Sequence, residues 1–355
     1  MKLLLFSLLL SPPLDPSQGR RSRMGRILAL LTALVLPLSA QGVCAGEISA
    51  WGNDSDGQVS ATPTGTGFTA IATSDLAGYA LAADGSIEAW GSNWGGQVSD
   101  TPTGTGFTAI ASRNETAYAL AADGSIKAWG YDFSGGGVSE TPTGTGFTAI
   151  AAGNYVGHAL RADGSIESWG FEVFGDQVSD TPTGTGFTAI AAGYGGSYAL
   201  AADGSIWAWG GDGTGQVSNA PTGTGFTAIA ASRFTGYALA ADGSIAAWGS
   251  DQYGQVSDTP TGTGFTAIAG GVNHCYALAA DGSIAAWGDD TNGKVSNTPT
   301  GTGFTAIAAG EYHGYALRGK LPWHLDRIDQ ATLPLDGAYA PPYCSTGTPT
   351  TVYIV

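Results

Sequence analysis

Apolar residues along this chain come in short bursts, and no stretch of the repeating region sustains the i, i+3, i+4 spacing of an amphipathic helix. The bursts read instead as short β-strands separated by Gly, Pro, Asn, Asp and Ser. They recur with a fixed period. An (Ala/Ser)-Trp-Gly motif falls at Trp51, Trp90, Trp129, Trp169, Trp209, Trp248 and Trp287, with spacings of 39, 39, 40, 40, 39 and 39 residues. Gly-Phe-Thr-Ala-Ile-Ala follows in step at Phe68, Phe107, Phe147, Phe187, Phe226, Phe265 and Phe304. A (Tyr/His)-Ala-Leu segment completes each unit, from Tyr79 to Tyr315. A period near 40 built from β-like segments marks a propeller or a solenoid.

Each unit predicts four strands: Ile-x-Ala-Trp-Gly, then Gly-Gln-Val-Ser (96–99), then Phe-Thr-Ala-Ile-Ala, then Tyr-Ala-Leu-Ala-Ala. Six Asp-Gly pairs, from Asp84 to Asp281, join the fourth strand to the next unit's first. Such a dipeptide suits a tight hairpin that needs φ > 0. Pro-Thr-Gly-Thr-Gly links the second strand to the third. The first unit begins at Ile48 without a preceding Tyr-Ala-Leu, and the last ends after Leu317 without a following Ile-x-Ala-Trp. Pairing these ends predicts an all-β, closed seven-bladed β-propeller of four-stranded blades, with no open edge to seed aggregation. An open solenoid would need polar caps, and none is evident. The repeated Trp, Phe and Tyr positions read as core, because each large aromatic removes roughly 150–250 Å² from water.

Composition adds an export signal. Met24-Gly25-Arg26 precedes an apolar run at 27–38, and Val43-Cys44-Ala45 supplies small residues before a cut. Residues 1–45 therefore predict a signal peptide, with Met24 as an alternative start; a run of 12 residues is too short to span a bilayer. The propeller is assigned to 46–320, and a tail without periodicity to 321–355. The expected location is secreted, periplasmic or on the cell surface. In an oxidising compartment Cys275 and Cys344 are a candidate disulfide, with two free thiols as the plain alternative.

Only 12% of residues are charged, and the net charge is -16. Without 1–45 it becomes -20, which repels nucleic-acid phosphates and anionic headgroups. Nucleic acid and membrane insertion after signal cleavage are thus disfavoured as partners.

The pattern Ala-Trp-Gly, Gly-Gln, Ala-Ile-Ala-Ala-Gly, Tyr-Ala-Leu and Asp-Gly resembles the regulator-of-chromosome-condensation repeat over residues 48–317. The short unit is similar to a secreted bacterial branch, the beta-lactamase inhibitory protein II family. That resemblance implies a seven-bladed propeller that binds proteins through its loops. The founder family's wedge insertion is missing, since the Phe-to-Trp spacing is 22 in all six cases, and so is its basic face. Exchange-factor and chromatin functions are not carried over.

Comparing the seven units with one another separates constant from variable positions. Pro-Thr-Gly-Thr-Gly-Phe-Thr-Ala-Ile-Ala never changes. Variation collects in a window after Trp-Gly (53–56, 92–95, 131–134, 171–174, 211–214, 250–253, 289–292). A second window follows Ala-Ile-Ala (73–78, 112–117, 152–157, 192–197, 231–236, 270–275, 309–314). An up-and-down strand order puts both at one end of the blade, where binding loops on a rigid scaffold belong. Ten aromatics there are the candidate partner contacts: Trp94, Tyr131, Phe133, Tyr155, Phe171, Phe174, Tyr194, Phe234, Tyr253 and Tyr312. Drift after duplication is the bland alternative. Asp54, Asp56, Asp132, Glu172, Asp251, Asp289, Asp290 and Glu311 make the face acidic and suit a basic partner.

Catalytic groups do not gather in the sequence. His158, His274, His313 and His324 are scattered, and the matched pair His274 and His313 falls short of the three or four ligands of a zinc site. No metal or other cofactor is expected. The expectation is an exported, non-enzymatic, monomeric propeller that binds a protein partner, basic or an extracellular enzyme. The alternatives are a beta-lactamase or cell-wall-enzyme inhibitor, a surface-structural or carbohydrate-binding repeat protein, and an enzyme with its site on the propeller axis.

Overall fold

A computed structural model describes residues 46–132, 137–173 and 175–319 of the 355-residue chain. The expected signal segment at 1–45, the tail with Cys344, and Phe133 and Phe174 lie outside the described residues. The described part is almost wholly β, in seven sheets of three antiparallel strands.

Strand β1 (Glu47–Gly52) precedes the first complete sheet, β2 (Phe68–Thr73), β3 (Ala77–Ala82) and β4 (Ile87–Gly91). The second holds β5 (Phe107–Arg113), β6 (Thr116–Ala121) and β7 (Ile126–Gly130). The third holds β8 (Phe147–Ala152), β9 (Val156–Arg161) and β10 (Ile166–Gly170). The fourth holds β11 (Phe187–Ala192), β12 (Gly196–Ala201) and β13 (Ile206–Gly210). The fifth holds β14 (Phe226–Ala231), β15 (Thr235–Ala240) and β16 (Ile245–Gly249). The sixth holds β17 (Phe265–Gly270), β18 (His274–Ala279) and β19 (Ile284–Gly288). The seventh joins β20 (Phe304–Ala309) and β21 (His313–Arg318) to β1, which pairs with β21 from Glu47 opposite Arg318 to Gly52 opposite His313.

Position within the sheet explains the residue pattern. The Tyr-Ala-Leu strand is always central and buried on both faces, so it reads as an unbroken apolar run. The Phe-Thr-Ala-Ile-Ala strand packs against the same strand of the sheets on either side, β2 against β5 and also against β20. Its small alanines permit that approach. In every sheet the pairing slips after the Phe, as between Phe68 and Ala70, and the Thr in the bulge donates its hydroxyl to the Leu carbonyl opposite. Thr69, Thr108, Thr148, Thr188, Thr227, Thr266 and Thr305 all do so at 3.0–3.3 Å. A bulge leaves a ladder acceptor to satisfy, which gives the constant Thr its reason.

The expected second strand is corrected. Gly-Gln-Val-Ser forms a turn, so each sheet has three strands and not four. The cause is a clamp across each sheet-to-sheet seam. Gln97 offers its main-chain carbonyl to Trp129 Nε1 (3.0 Å) from one sheet and to the Tyr79 hydroxyl (3.2 Å) from the other. A strand would have spent that carbonyl on a ladder. The Trp clamp recurs on Gln58, Gly137, Gln177, Gln216, Gln255 and Lys294. It is a main-chain acceptor, so Gly137 and Lys294 can replace the glutamine. Lys294 is buried and paired with Asp289 at 2.8 Å.

One seam departs from the rest. His158 stands where the other repeats have Tyr, Ser168 where they have Ala, and Ser197 where they have Gly, Ala or Cys. The structure brings these three together. His158 Nδ1 hydrogen-bonds with Ser168 Oγ (2.7 Å) and its Nε2 with Ser197 Oγ (2.8 Å), while Gln177 Nε2 donates to Ser197 Oγ (3.0 Å). His158→Tyr alone should destabilise the fold by about 1–3 kcal/mol, since it overpacks the seam and takes one hydrogen-bond partner from each serine hydroxyl. Adding Ser168→Ala and Ser197→Gly should recover most of the loss, a coupling that urea melts of the single, double and triple variants would read.

Candidate binding face

Both variable windows do lie at one end of the sheets. In every sheet the residue after Trp-Gly donates its amide to a carbonyl in the second window: Asn53 to Tyr312, Ser92 to Leu76, Tyr131 to Glu115 and Phe171 to Tyr155. Gly211 to Gly195, Ser250 to Phe234 and Asp289 to Asn273 complete the set, all at 2.7–2.9 Å. The glycine of Trp-Gly makes this stitch possible. Gly91 has φ +96°, and a Cβ there would sit 2.5 Å from the Leu76 carbonyl oxygen. The opposite end carries the constant turns, where Gly106 and Phe107 donate to the carbonyls of Asp84 and Gly85.

The ten candidate aromatics divide into groups. Trp94 is 71% exposed and Tyr131 36%, with ring centroids 5.0 Å apart. Phe171 (45%) and Tyr253 (44%) are exposed as well. Val173 is also exposed on this face, an aliphatic residue among the aromatics. Tyr155, Tyr194, Phe234 and Tyr312 are only half-buried, and the Tyr194 and Phe234 rings meet edgewise at 6.3 Å. Arg113 and Arg233 lie over the Tyr194 ring at 5.4 and 5.0 Å, and Lys294 lies 5.7 Å from the Tyr312 ring. Phe133 and Phe174 fall outside the described residues.

The second windows form a polar hub. Asp75 donates its amide to the Asn114 carbonyl, Asn114 Nδ2 donates to Asn154 Oδ1, and Tyr194 donates its amide to the Arg233 carbonyl. The Tyr194 hydroxyl reaches Asp75 Oδ2 at 3.3 Å, linking repeats 119 residues apart. Burial, then the nearby Glu311 charge, raise the Asp75 carboxyl well above its usual range. Burial chiefly raises the Tyr194 phenol. This gathering of titratable groups was not legible in the sequence, where its members sit one per repeat.

The acidic residues need a different reading from the one their exposure suggests. Asp54 Oδ1 accepts the amides of Val59 and Ser60 at 2.9 and 2.8 Å, which caps the clamp turn. Asn93, Asp132, Glu172, Asp212, Asp251 and Asp290 accept the corresponding amides in the other repeats. These amide bonds hold the Asp54 and Asp251 carboxyls below the ordinary carboxylate range. They keep their charge, so attraction of a basic partner survives within a Debye length of about 8–10 Å. Their conserved geometry, though, belongs to the turn. Asp289 is committed to Lys294, and Glu311 to the hub.

Histidines 274 and 313 are fully buried, each ring stacked edgewise near Tyr276 or Tyr315 at 4.9 Å. Among the described residues no group of three or more His, Cys, Asp or Glu is placed to hold a metal. No described helix is long and apolar enough to cross a membrane. Cys275 is fully buried at the seam, and burial raises its thiol well above the ordinary value.

No protein-family description matches the chain, and no curated protein matches it in sequence. Solved structures do match. Prp20p from Saccharomyces cerevisiae, reported with its binding properties to Gsp1p and histones, shares 16% identity over 81% of this chain and 96% of that one, with TM-score 0.63. The structure of Kap60 bound to yeast RCC1 (Prp20) shares 17% identity over 90% of this chain and 100% of that one, with TM-score 0.65. The ectodomain of the Arabidopsis thaliana receptor kinase ACR4 shares 22% over 69% and 91%, with TM-score 0.56. The fold is therefore that of an RCC1-like β-propeller repeat, and its seven sheets are propeller blades.

Proposed function

We propose that this chain is an exported, non-enzymatic propeller, shut into a ring, that binds a protein partner through its variable face. The observation that carries this reading is the exposed Trp94–Tyr131 pair, with Phe171, Val173 and Tyr253 on the same face. Large aromatics held on a rigid frame lose little entropy on binding, and they dominate interface energetics. Protein binding is also reported for the yeast neighbours, Prp20p with Gsp1p and histones and Kap60 with RCC1 (Prp20). Ring closure is supported by β1 in register on β21 and by β2 packed against β20. Export rests on the leader at 1–45. The likeness to beta-lactamase inhibitory protein II makes a secreted beta-lactamase the first enzyme to try as partner.

A pull-down from envelope and culture fluid should recover a partner with the intact chain. Trp94→Ala/Tyr131→Ala should weaken capture by about 30-fold or more, as expected when a hot spot worth about 2 kcal/mol is removed. Capture by both forms to the same extent would end the reading.

A further inference from the structure

A separate feature lies on the outer flank of the sheets. An open cleft of about 600 Å³ runs along the seam between the third and fourth sheets. Its walls include Asp180, Thr181, Pro182 and Thr183 from the link after β10, and Trp207 and Val217 from the next repeat. A second groove, between Lys127 and the link after β7, holds only about 270 Å³.

Trp207 is the anomaly. The six other repeats place Ser49, Glu88, Lys127, Glu167, Ala246 and Ala285 at its position. It reads as one more core tryptophan, yet it is 53% exposed, with its indole held edgewise against Phe187 at 5.8 Å. An exposed indole fixed in place on an edge strand, beside an open cleft, is a platform without an internal use. The same seam carries the His158, Ser168 and Ser197 departures, and these reach the cleft. Thr181 Oγ1, in the cleft wall, lies 2.7 Å from Ser168 Oγ, which hydrogen-bonds with buried His158. Four residues that no other repeat has at their positions therefore meet at the seam with the larger of these clefts.

The lining chemistry selects the ligand. One flat apolar surface stands beside an exposed carboxylate and a hydroxyl, with little other apolar area to cover. A pyranose ring matches it, because its C–H face stacks on an indole while its hydroxyls at the rim reach polar groups. Asp180 and the acidic character of the whole chain disfavour phosphates and uronic acids. We propose that this cleft is a binding site for a neutral saccharide, with Trp207 as the stacking platform and Asp180 and Thr183 as hydrogen-bonding groups. Thr181 acts as a positioning residue, oriented from behind by Ser168 and His158. This site is independent of the aromatic face assigned above.

Calorimetric titration of the full chain with cellohexaose, chitohexaose and mannohexaose tests the proposal. At least one should bind, and Trp207→Glu should weaken that binding by about tenfold or more, the loss of one stacked ring. Glutamate is already the residue at this strand position in two repeats, Glu88 and Glu167, so the variant should keep its fold. Lys127→Ala, in the smaller groove, and Trp94→Ala/Tyr131→Ala should bind saccharide as the parent does. Absence of binding by all three oligosaccharides would overturn the proposal. So would equal binding by the folded Trp207→Glu protein, or Trp207-dependent capture of a proline-rich peptide with no saccharide bound.

Discussion

Trp51→Ala should cost about 3–5 kcal/mol of global stability, the range for deleting a large buried aromatic. Trp51 comes from the first strand of the described chain, yet its Nε1 donates to the Lys294 carbonyl at 3.0 Å, and its ring meets Tyr276 at 5.1 Å. In a shut ring this seam is like any other, and its loss should match that of Trp248→Ala, whose Nε1 donates to the Gln216 carbonyl at 2.9 Å. In an open array Trp51 would belong to a fraying end, and truncating it would leave the cooperative melt nearly unchanged. Urea melts of the two variants side by side decide the matter: a Trp51→Ala cost below about half that of Trp248→Ala would argue against closure.

Acid should destabilise this protein in a window where most proteins are indifferent. Burial lowers His158 to about 3 and His313 to about 4, and it lowers His274 well below the ordinary value. An unfolded histidine titrates near 6.5, so below that pH the unfolded chain takes up protons that the folded chain refuses. Stability is then full above about pH 6.5 and is lost as pH falls, at about 1.4 kcal/mol per unit for each histidine. Asp75 opposes them. Its raised carboxyl binds a proton in the fold that the unfolded chain lacks, so it gains stability over the same interval. Three groups against one leave a net loss of stability between pH 6.5 and 5. The capping carboxylates have lowered values and contribute only in more acidic solution. Urea midpoints at pH 7 and 5 test this, and His274→Gln/His313→Gln should flatten the difference. An unchanged midpoint in the parent would refute it.

The three observed strands of each blade were legible because their burial is periodic and their turns have a chemistry of their own. The fourth was not. Gly-Gln-Val-Ser has the composition of a short edge strand, and nothing local announces that its carbonyl is claimed by an indole 32 residues ahead. Half of the site reading fared similarly. Strand direction was enough to put both windows at one end, but exposure of their aromatics depends on neighbours in other repeats. Trp94 stays out in solvent, while Tyr194 is drawn in by Arg113 and Arg233. The capping role did leave a signal. The third residue after every repeat tryptophan is Asp, Asn or Glu, inside a window otherwise counted as variable. Trp207 hid for the opposite reason, as a tryptophan among tryptophans.

Seven near-identical inner strands carry a hazard of their own. Each could dock on any neighbour, within one molecule or between two, and a chain that slips by a whole unit would find most of its contacts already in place. The His158 seam acts as a registration key against that slip. His158 displaced onto the next repeat would face Gly236 in place of Ser197, with no hydroxyl to meet its ring. One keyed joint among interchangeable parts is enough to tell every part its place.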